Sequence, residues 1–350
     1  MDQSTPPESA PSREESVFHA DELAAQALAG VRARSAGIRN VMTDQHRSFF
    51  AALPHILIAT PNAEGWPLAA LLEGEPGFVE SPDPTTLRIR ALPPPDDPAA
   101  GTLSIGVDVA ILGIDLATRR RNRANGVVSG VDASGFTVAV RQSFGNCPQY
   151  IQRRALRRMQ PVPGRMREFE SLADEDARAL IAKSDTFFVA SHSRAGMGTA
   201  GGADISHRGG RPGFVRVTGN TLSIPDFRGN RYFNTLGNFL GEPRSSLLFL
   251  DFETGDLLQL QGLAAVDWSA STARPYEGAE RIWHFQVRRG RYRERAAALR
   301  GAFLDYSPVT LRTGTWEAHA KGLPRESALA QDLPAAAPTS GGTPSARSSA

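Results

Sequence analysis

The stretch "AILGIDLATRRRNRANGVV", residues 110–128, returns later in the chain as "SLLFLDFETGDLLQLQGLA", residues 246–264. Asp115 matches Asp251, Thr118 matches Thr254 and Gly126 matches Gly262, each pair 136 residues apart. In both stretches an apolar run ends at an aspartate, a turn follows, and a second run leads to a glycine. This reads as a hairpin, and its return says that one unit is written twice.

Working outward, "TDQHRSFFAALPHILIAT" (43–60) corresponds to "ADEDARALIAKSDTFFVAS" (173–191), Phe49 and Phe50 falling on Leu180 and Ile181 at an offset of 131. "GEPGFVES" (74–81) corresponds to "GRPGFVRV" (210–217), with Gly77 on Gly213 at an offset of 136. Blocks in one order with so small a drift in spacing are two copies of one domain. Each copy opens with a short amphipathic helix. Runs that are β-branched or alternating follow, at Ile56–Thr60, Leu68–Leu72, Thr86–Arg90, Val107–Asp115, Arg123–Val131 and Phe136–Phe144. The second copy repeats them at Phe187–Ser191, Phe214–Val217, Thr221–Ile224, Ser245–Asp251, Leu257–Asp267 and Arg281–Val287. Many short strands split by Gly, Pro, Asp and Asn predict a small antiparallel barrel. The fold class expected is mainly β with flanking helices, as two tandem barrels.

The boundaries follow. Residues 1–42 hold a polar start, expected to be disordered, and a helical extension expected to pack on the first barrel, on which Phe18, Leu23, Ala24, Ala27, Leu28 and Val31 recur at helical spacing. The first barrel spans 43–160 and the second 161–330, joined through a linker near 158–170. A tail rich in Ala, Pro, Ser and Gly closes the chain at 331–350 and is expected to be disordered. Composition is globular: 350 residues, 41% apolar, 22% charged, formal net charge +2. Any basic function must therefore be local. A single cysteine, Cys147, excludes an internal disulfide and a Cys-rich metal site. No apolar run is long enough to span a bilayer and no secretory leader precedes the first domain, so a cytoplasmic protein is expected.

Chemistry concentrates in the second copy. In "GADISHRGGRPGFV" (202–215) an extended Ala203–Arg208 sends Asp204, Ser206 and Arg208 to one face and His207 to the other. A hydroxyl and a guanidinium on one face suit a phosphate ester. In "PDFRGNRYFNTLGN" (225–238), Gly229 permits a turn, Asn230 and Arg231 add donors, and Asn234-Thr235 opens a helix whose N-terminus favours an anion. Solvated loop arginines beside glycines that serve only turns are the alternative. The first copy has "LAALLEG" and "LPPPDDPAAG" at the matching places, neither with a positive side chain. Its own cations lie in "TRRRNRANG" (118–126), where Arg119, Arg121 and Arg123 share a face of an extended segment. They suit a charged hairpin edge, a nucleic-acid patch, or an anion held by the other copy; the near-zero net charge and the lack of interleaved aromatics count against nucleic acid. Cys147 has no His or Asp at a telling spacing and reads as a small packed side chain. The seven histidines show no metal-ligand spacing, and Trp283 and His284 sit on an alternating strand where packing is expected.

The second copy, through "DISHRGGRPGFVRV" and "PDFRGNRYFNTLGNFLGEPRSSLLFLDFETGDLLQLQG", resembles the pyridoxamine 5′-phosphate oxidase-like family of FMN-binding split β-barrels. The first resembles it more distantly through "LPHILIATPNAEGWPLAALLEGEPGFV", "IDLATRRRNRANG" and "FGNCPQYIQRR", so the resemblance covers about residues 43–320. It implies split barrels paired as a dimer, with FMN in the cleft between them. Ser206 and Arg208 match the phosphate-side strand, and Gly229, Asn230 and Arg231 the turn before the helix. Asn238 matches a position in that helix, and Gln259 lies on the hairpin that often faces the flavin. The Arg-to-Lys pair and the C-terminal substrate motif of the vitamin B6 oxidases are absent, which argues against that substrate. With two copies in one chain, the pairing is either a pseudo-dimer within the chain, Arg121 and Arg123 reaching across to one intact site, or a homodimer of whole chains. The activity implied is an FMN-dependent oxidoreductase acting on a small molecule and passing electrons to oxygen or an organic acceptor, with a separate NAD(P)H-dependent reductase as a possible partner. A non-catalytic binder of flavin or haem, for storage or sensing, is the alternative. No residue stands out as a catalytic acid or base.

Overall fold

In the computed structural model residues 16–33, 37–160, 162 and 164–317 are described. The tails expected to be disordered lie outside these residues, apart from Ser16 at the edge of the first, as does the end of the second unit from 318 on. The chain begins with helix α1 (Ala20–Leu28). Helix α2 (Asp44–Ala52) follows, its N-terminus capped by the Thr43 hydroxyl, which accepts from the His46 N–H. Then come β1 (His55–Pro61), β2 (Pro67–Glu73), β3 (Val79–Glu80), β4 (Thr86–Ile89), β5 (Asp108–Asp115), β6 (Arg120–Asp132), β7 (Gly135–Gly145), β8 (Arg153–Arg158) and β9 (Met166–Phe169). The order then repeats: α3 (Glu175–Lys183), capped by Asp174, β10 (Thr186–His192), β11 (Ala203–Gly209), β12 (Arg216–Thr218), β13 (Thr221–Phe227), α4 (Asn234–Gly241), β14 (Arg244–Leu250), β15 (Leu257–Asp267), the short α5 (Ala270–Ala273), β16 (Ala279–Arg293) and β17 (Leu299–Asp305).

Two antiparallel sheets result, with strand orders β2-β1-β5-β6-β7-β4-β3 and β11-β10-β14-β15-β16-β13-β12. The orders are the same once each strand is replaced by its repeat, and each sheet curls around its own core. On β1, Ile56 and Ile58 point into that core, and on β10 Phe187 and Val189 do so. The alternate residues Leu57 and Ala59, and Phe188 and Ala190, point outward yet are equally buried. They meet in a third apolar core, where β1, β2 and β5 pack on β10, β11 and β14. Both faces of these strands are buried, which explains why they read as continuous apolar runs. Each leucine so buried is worth about 1.5–3 kcal/mol, so the two halves hold each other firmly.

The glycines paired by the repeat have a shared cause. The ladder slips by one residue between Asn125 and Gly126 and again between Gln261 and Gly262. At these bulges a side chain on Gly126 would fall on the Ala139 carbonyl oxygen, and one on Gly262 on that of Gln286.

Three expectations need correction. The stretch read as a linker contains β9, which pairs with β16. Strands β8 and β17, at the ends of the two halves, pair with each other in a separate ribbon. Helix α1 forms, but it packs on α4 of the second half and not on the first barrel. Its face is inverted: Phe18 before it is buried as expected, whereas Leu23, Ala24, Ala27 and Leu28 are exposed and Asp21, Glu22, Ala25 and Gln26 are buried. The seat it occupies on α4 is polar, so the apolar stripe has nothing to bury against. Among the described residues no helix is long and apolar enough to cross a membrane.

Candidate functional site

A cleft of about 100 Å³ opens where β11, the end of β13 and the start of α4 meet β6 of the first half. Ser206, Arg208, Gly229, Asn230, Arg231, Arg121 and Arg123 all line it. Strand register explains the convergence. Ser206 and Arg208 lie opposite Val189 and Phe187, residues of the second half's own core, so they face that barrel's mouth. His207 lies opposite Phe188 and faces the first half. Arg121 and Arg123 lie opposite Ile114 and Leu112, members of the shared core, so β6 aims them at the second half. After β13 the chain turns through Gly229 to Phe233, with Arg231 and Phe233 in the left-handed region at φ 64° and 63°. This delivers the start of α4 to the cleft, where no side chain caps it.

The charges are knitted together. Arg123 Nη1 donates to Asp204 Oδ1 at 2.5 Å, and its Nη2 to the Ser206 hydroxyl. The hydroxyls of Ser206 and Thr235 both donate to Asp204 Oδ2, at 3.2 Å each. Asp226 accepts from Arg208 at 2.7 Å and from Arg281 at 2.6 Å, and Glu280 accepts from Arg231 at 3.2 Å. Arg121 donates from Nε to the Cys147 carbonyl at 3.0 Å, and from Nη1 to His207 Nδ1 at 3.1 Å. Burial and the adjacent Arg123 bring the Arg121 guanidinium down to about 9. Burial, then Arg121 and Arg208, hold His207 neutral by lowering its pKa well below 6.5. A guanidinium only donates, so Nδ1 of His207 is the acceptor and its proton sits on Nε2.

Five buried polar atoms of the lining have no partner among the described residues: Nε of Arg123, Arg208 and Arg231, Nε2 of His207 and Nδ2 of Asn146. All five are donors. Buried polar groups are ordinarily satisfied, and donors grouped near an uncapped helix N-terminus suit an anion.

Two expected residues lie elsewhere. Asn238 is on the buried side of α4, donating to Ser191 Oγ at 2.9 Å and bonded to His19 Nε2 at 2.9 Å. It sits a full turn beyond the helix end that meets the cleft. Gln259 lies opposite Leu248 just as Arg123 lies opposite Leu112, so it is the counterpart of Arg123 in the other half. Its Nε2 donates to the Ala69 carbonyl at 2.9 Å and to Asp97 at 3.0 Å, and Arg293 completes that knot with Asp97 at 3.0 Å. No motif in the sequence assigns a role here to the carboxylates of Asp204, Asp226 and Glu280, or to Arg281 and Tyr150, whose ring stacks on Phe227 at 5.2 Å. Asp204 was open to discovery, since alternation already put it on the face of Ser206 and Arg208. Arg281 and Glu280 come from a strand distant in sequence, and no local signal marks them.

No family model matches the chain, and no curated protein matches it. Solved structures similar to parts of it include HupZ from Group A Streptococcus, 14% identical, covering 33% of this chain and 90% of its own, with a TM-score of 0.27. A Clostridium acetobutylicum protein related to general stress protein 26, described as of the pyridoxinephosphate oxidase family, is 12% identical and covers 37% of this chain and 92% of its own, with a TM-score of 0.24. HutZ, the haem storage protein of Vibrio cholerae, is 11% identical and covers 35% of this chain and 94% of its own, with a TM-score of 0.23.

Proposed function

We propose that the chain is a tandem member of the pyridoxamine 5′-phosphate oxidase-like split barrels, that its halves pair as a pseudo-dimer, and that the cleft holds the phosphate of one FMN in a flavin-dependent oxidoreductase. The carrying observation is the convergence of five arginine side chains and the uncapped start of α4 on one cleft. They fit a phosphate monoester: five guanidiniums line the cleft against the carboxylates of Asp226 and Glu280, with Asp204 beneath. Bound FMN would supply hydride acceptance and return of electrons to oxygen or an organic acceptor. The chain's residues then bind and orient. Arg208 and Arg231 present their guanidiniums from the second half, Arg121 and Arg123 close the cleft from the first, and Asp226 and Glu280 hold the guanidinium planes.

The rival reading is haem storage, with His207 as the iron ligand. Arg121 argues against it: with Nδ1 committed as an acceptor, Nε2 bears the proton and has no lone pair to offer a metal.

The test is a visible spectrum of the purified protein followed by titration with FMN, under air and without it, with NADPH added. Flavin bands that bleach and recover are expected, and a Soret band would overturn the reading. In the variants Arg208→Gln and Arg231→Gln, Arg281 still partners Asp226 and Glu280. Each is therefore expected to weaken FMN about tenfold or more while leaving the fold intact.

A further inference from the structure

Helix α1 is held to the rest of the molecule by an unusual contact. Its buried residues include Asp21, Glu22 and Gln26, preceded by buried His19, while Leu23 and Leu28 face solvent. Phe18, just before the helix, is anchored among Ile38, Phe144 and Tyr232, but the helix itself is seated by its polar side, so its hold on α4 rests on a few directed bonds. The seat is α4. Gly237 and Gly241 clear one face of that helix, and a side chain at Gly237 would come within 2.7 Å of the Glu22 Cα. Arg194 clamps Asp21 through Nε at 2.9 Å and Nη2 at 3.1 Å.

Glu22 connects this contact to the cleft. One carboxylate oxygen accepts from the His19 N–H at 2.9 Å, closing a capping box, and the other accepts from the Asn234 side-chain amide. Asn234 is the first residue of α4 and lines the cleft, and its Oδ1 faces Arg123 Nη1 at 3.4 Å. The uncapped end of α4 is thereby held in place by a carboxylate from outside both barrels.

We propose that α1 is a detachable strap: docked, it fixes the first turn of α4 as one wall of the anion cleft, and its release lets that wall move and the bound anion exchange. This rests on the reading of the cleft as a phosphate site. It assigns Glu22 as a positioning residue that acts through Asn234.

Three full-length variants test it: Glu22→Ala, which cuts the tie to Asn234; Gly237→Val, which crowds the seat; and Leu23→Ala on the exposed face, as a control. Hydrogen exchange on the ligand-free proteins comes first. Faster exchange in both 19–28 and 234–238 is expected for the first two variants and not for the third. FMN, loaded and then chased, is the probe for the second readout, with an off-rate about tenfold higher in Glu22→Ala and Gly237→Val than in the parent. An unchanged off-rate in variants whose α1 exchanges freely would overturn the strap and leave the phosphate site standing. Should the parent bind no FMN, the phosphate reading falls and the strap, which rests on it, falls with it.

Discussion

Arg123 and Asp204 form the most deeply buried ion pair of the cleft, their side chains 8% and 4% exposed. Removing one member of such a pair leaves the other charged and unpaired. Arg123→Ala is therefore expected to cost about 3–5 kcal/mol in urea unfolding, and the double variant Arg123→Met, Asp204→Asn clearly less than the sum of its singles. His207 makes a pH prediction. Its folded pKa lies well below the unfolded value of 6.5, so the native state resists the proton that the unfolded chain accepts. Its contribution to stability is full above pH 6.5 and is lost as the pH falls below that value. His207→Gln should flatten that part of the curve of melting temperature against pH; an unaltered curve would place the acid sensitivity elsewhere, for instance at His55, which burial brings down to about 4. At this scale the sequence was partly legible. Ser206 and Arg208 on one face follow from strand alternation alone, whereas Arg281 enters through a register that no local pattern encodes.

Among the elements, the long hairpins β5–β6 and β14–β15 were the most readable, because apolar runs, turn residues and a repeated glycine all agree. The glycines mark the bulges. Gly262→Ala is expected to destabilise by about 1–3 kcal/mol, measured by thermal unfolding, since its methyl group would meet the Gln286 carbonyl oxygen and the Phe285 ring. Helix α1 was legible as a helix and misread as to its face. Spacing reports which residues lie together on a helix and not which neighbour that helix meets. Here the neighbour is α4, cleared by Gly237 and Gly241 and bordered by Arg194 and Asn234, so acidic residues turn inward. Strand β9 was hidden in a proline-rich stretch because only its pairing with β16 gives it order.

For the whole molecule, the matched sheets present two places related by the repeat, and they differ in chemistry. One has Arg123, Ser206, Arg208 and the start of α4. The other has Gln259, Ala70 and Leu72 at the corresponding positions, Pro93 to Pro95 in place of the turn Gly229 to Arg231, and Pro98 where α4 would begin. Titration is expected to give one FMN per chain. Gln259→Arg should not create a second site, because Asp97 is already engaged by Arg293 and the prolines have no N–H to donate. Two equivalents per chain would overturn this asymmetry. The sequence by itself determined the duplication, the strand-rich class and the donor-bearing turns, since these rest on spacing, alternation and residue chemistry, all local to the chain. Only the tertiary structure decided that β6 of one half faces β11 of the other, that carboxylates already neutralise part of the arginine cluster, and that α1 docks by its charged side. Those outcomes depend on which surfaces meet, and that is settled by packing between segments distant in the chain: Arg123 and Asp204 are 81 residues apart, and Glu22 and Asn234 are 212 apart.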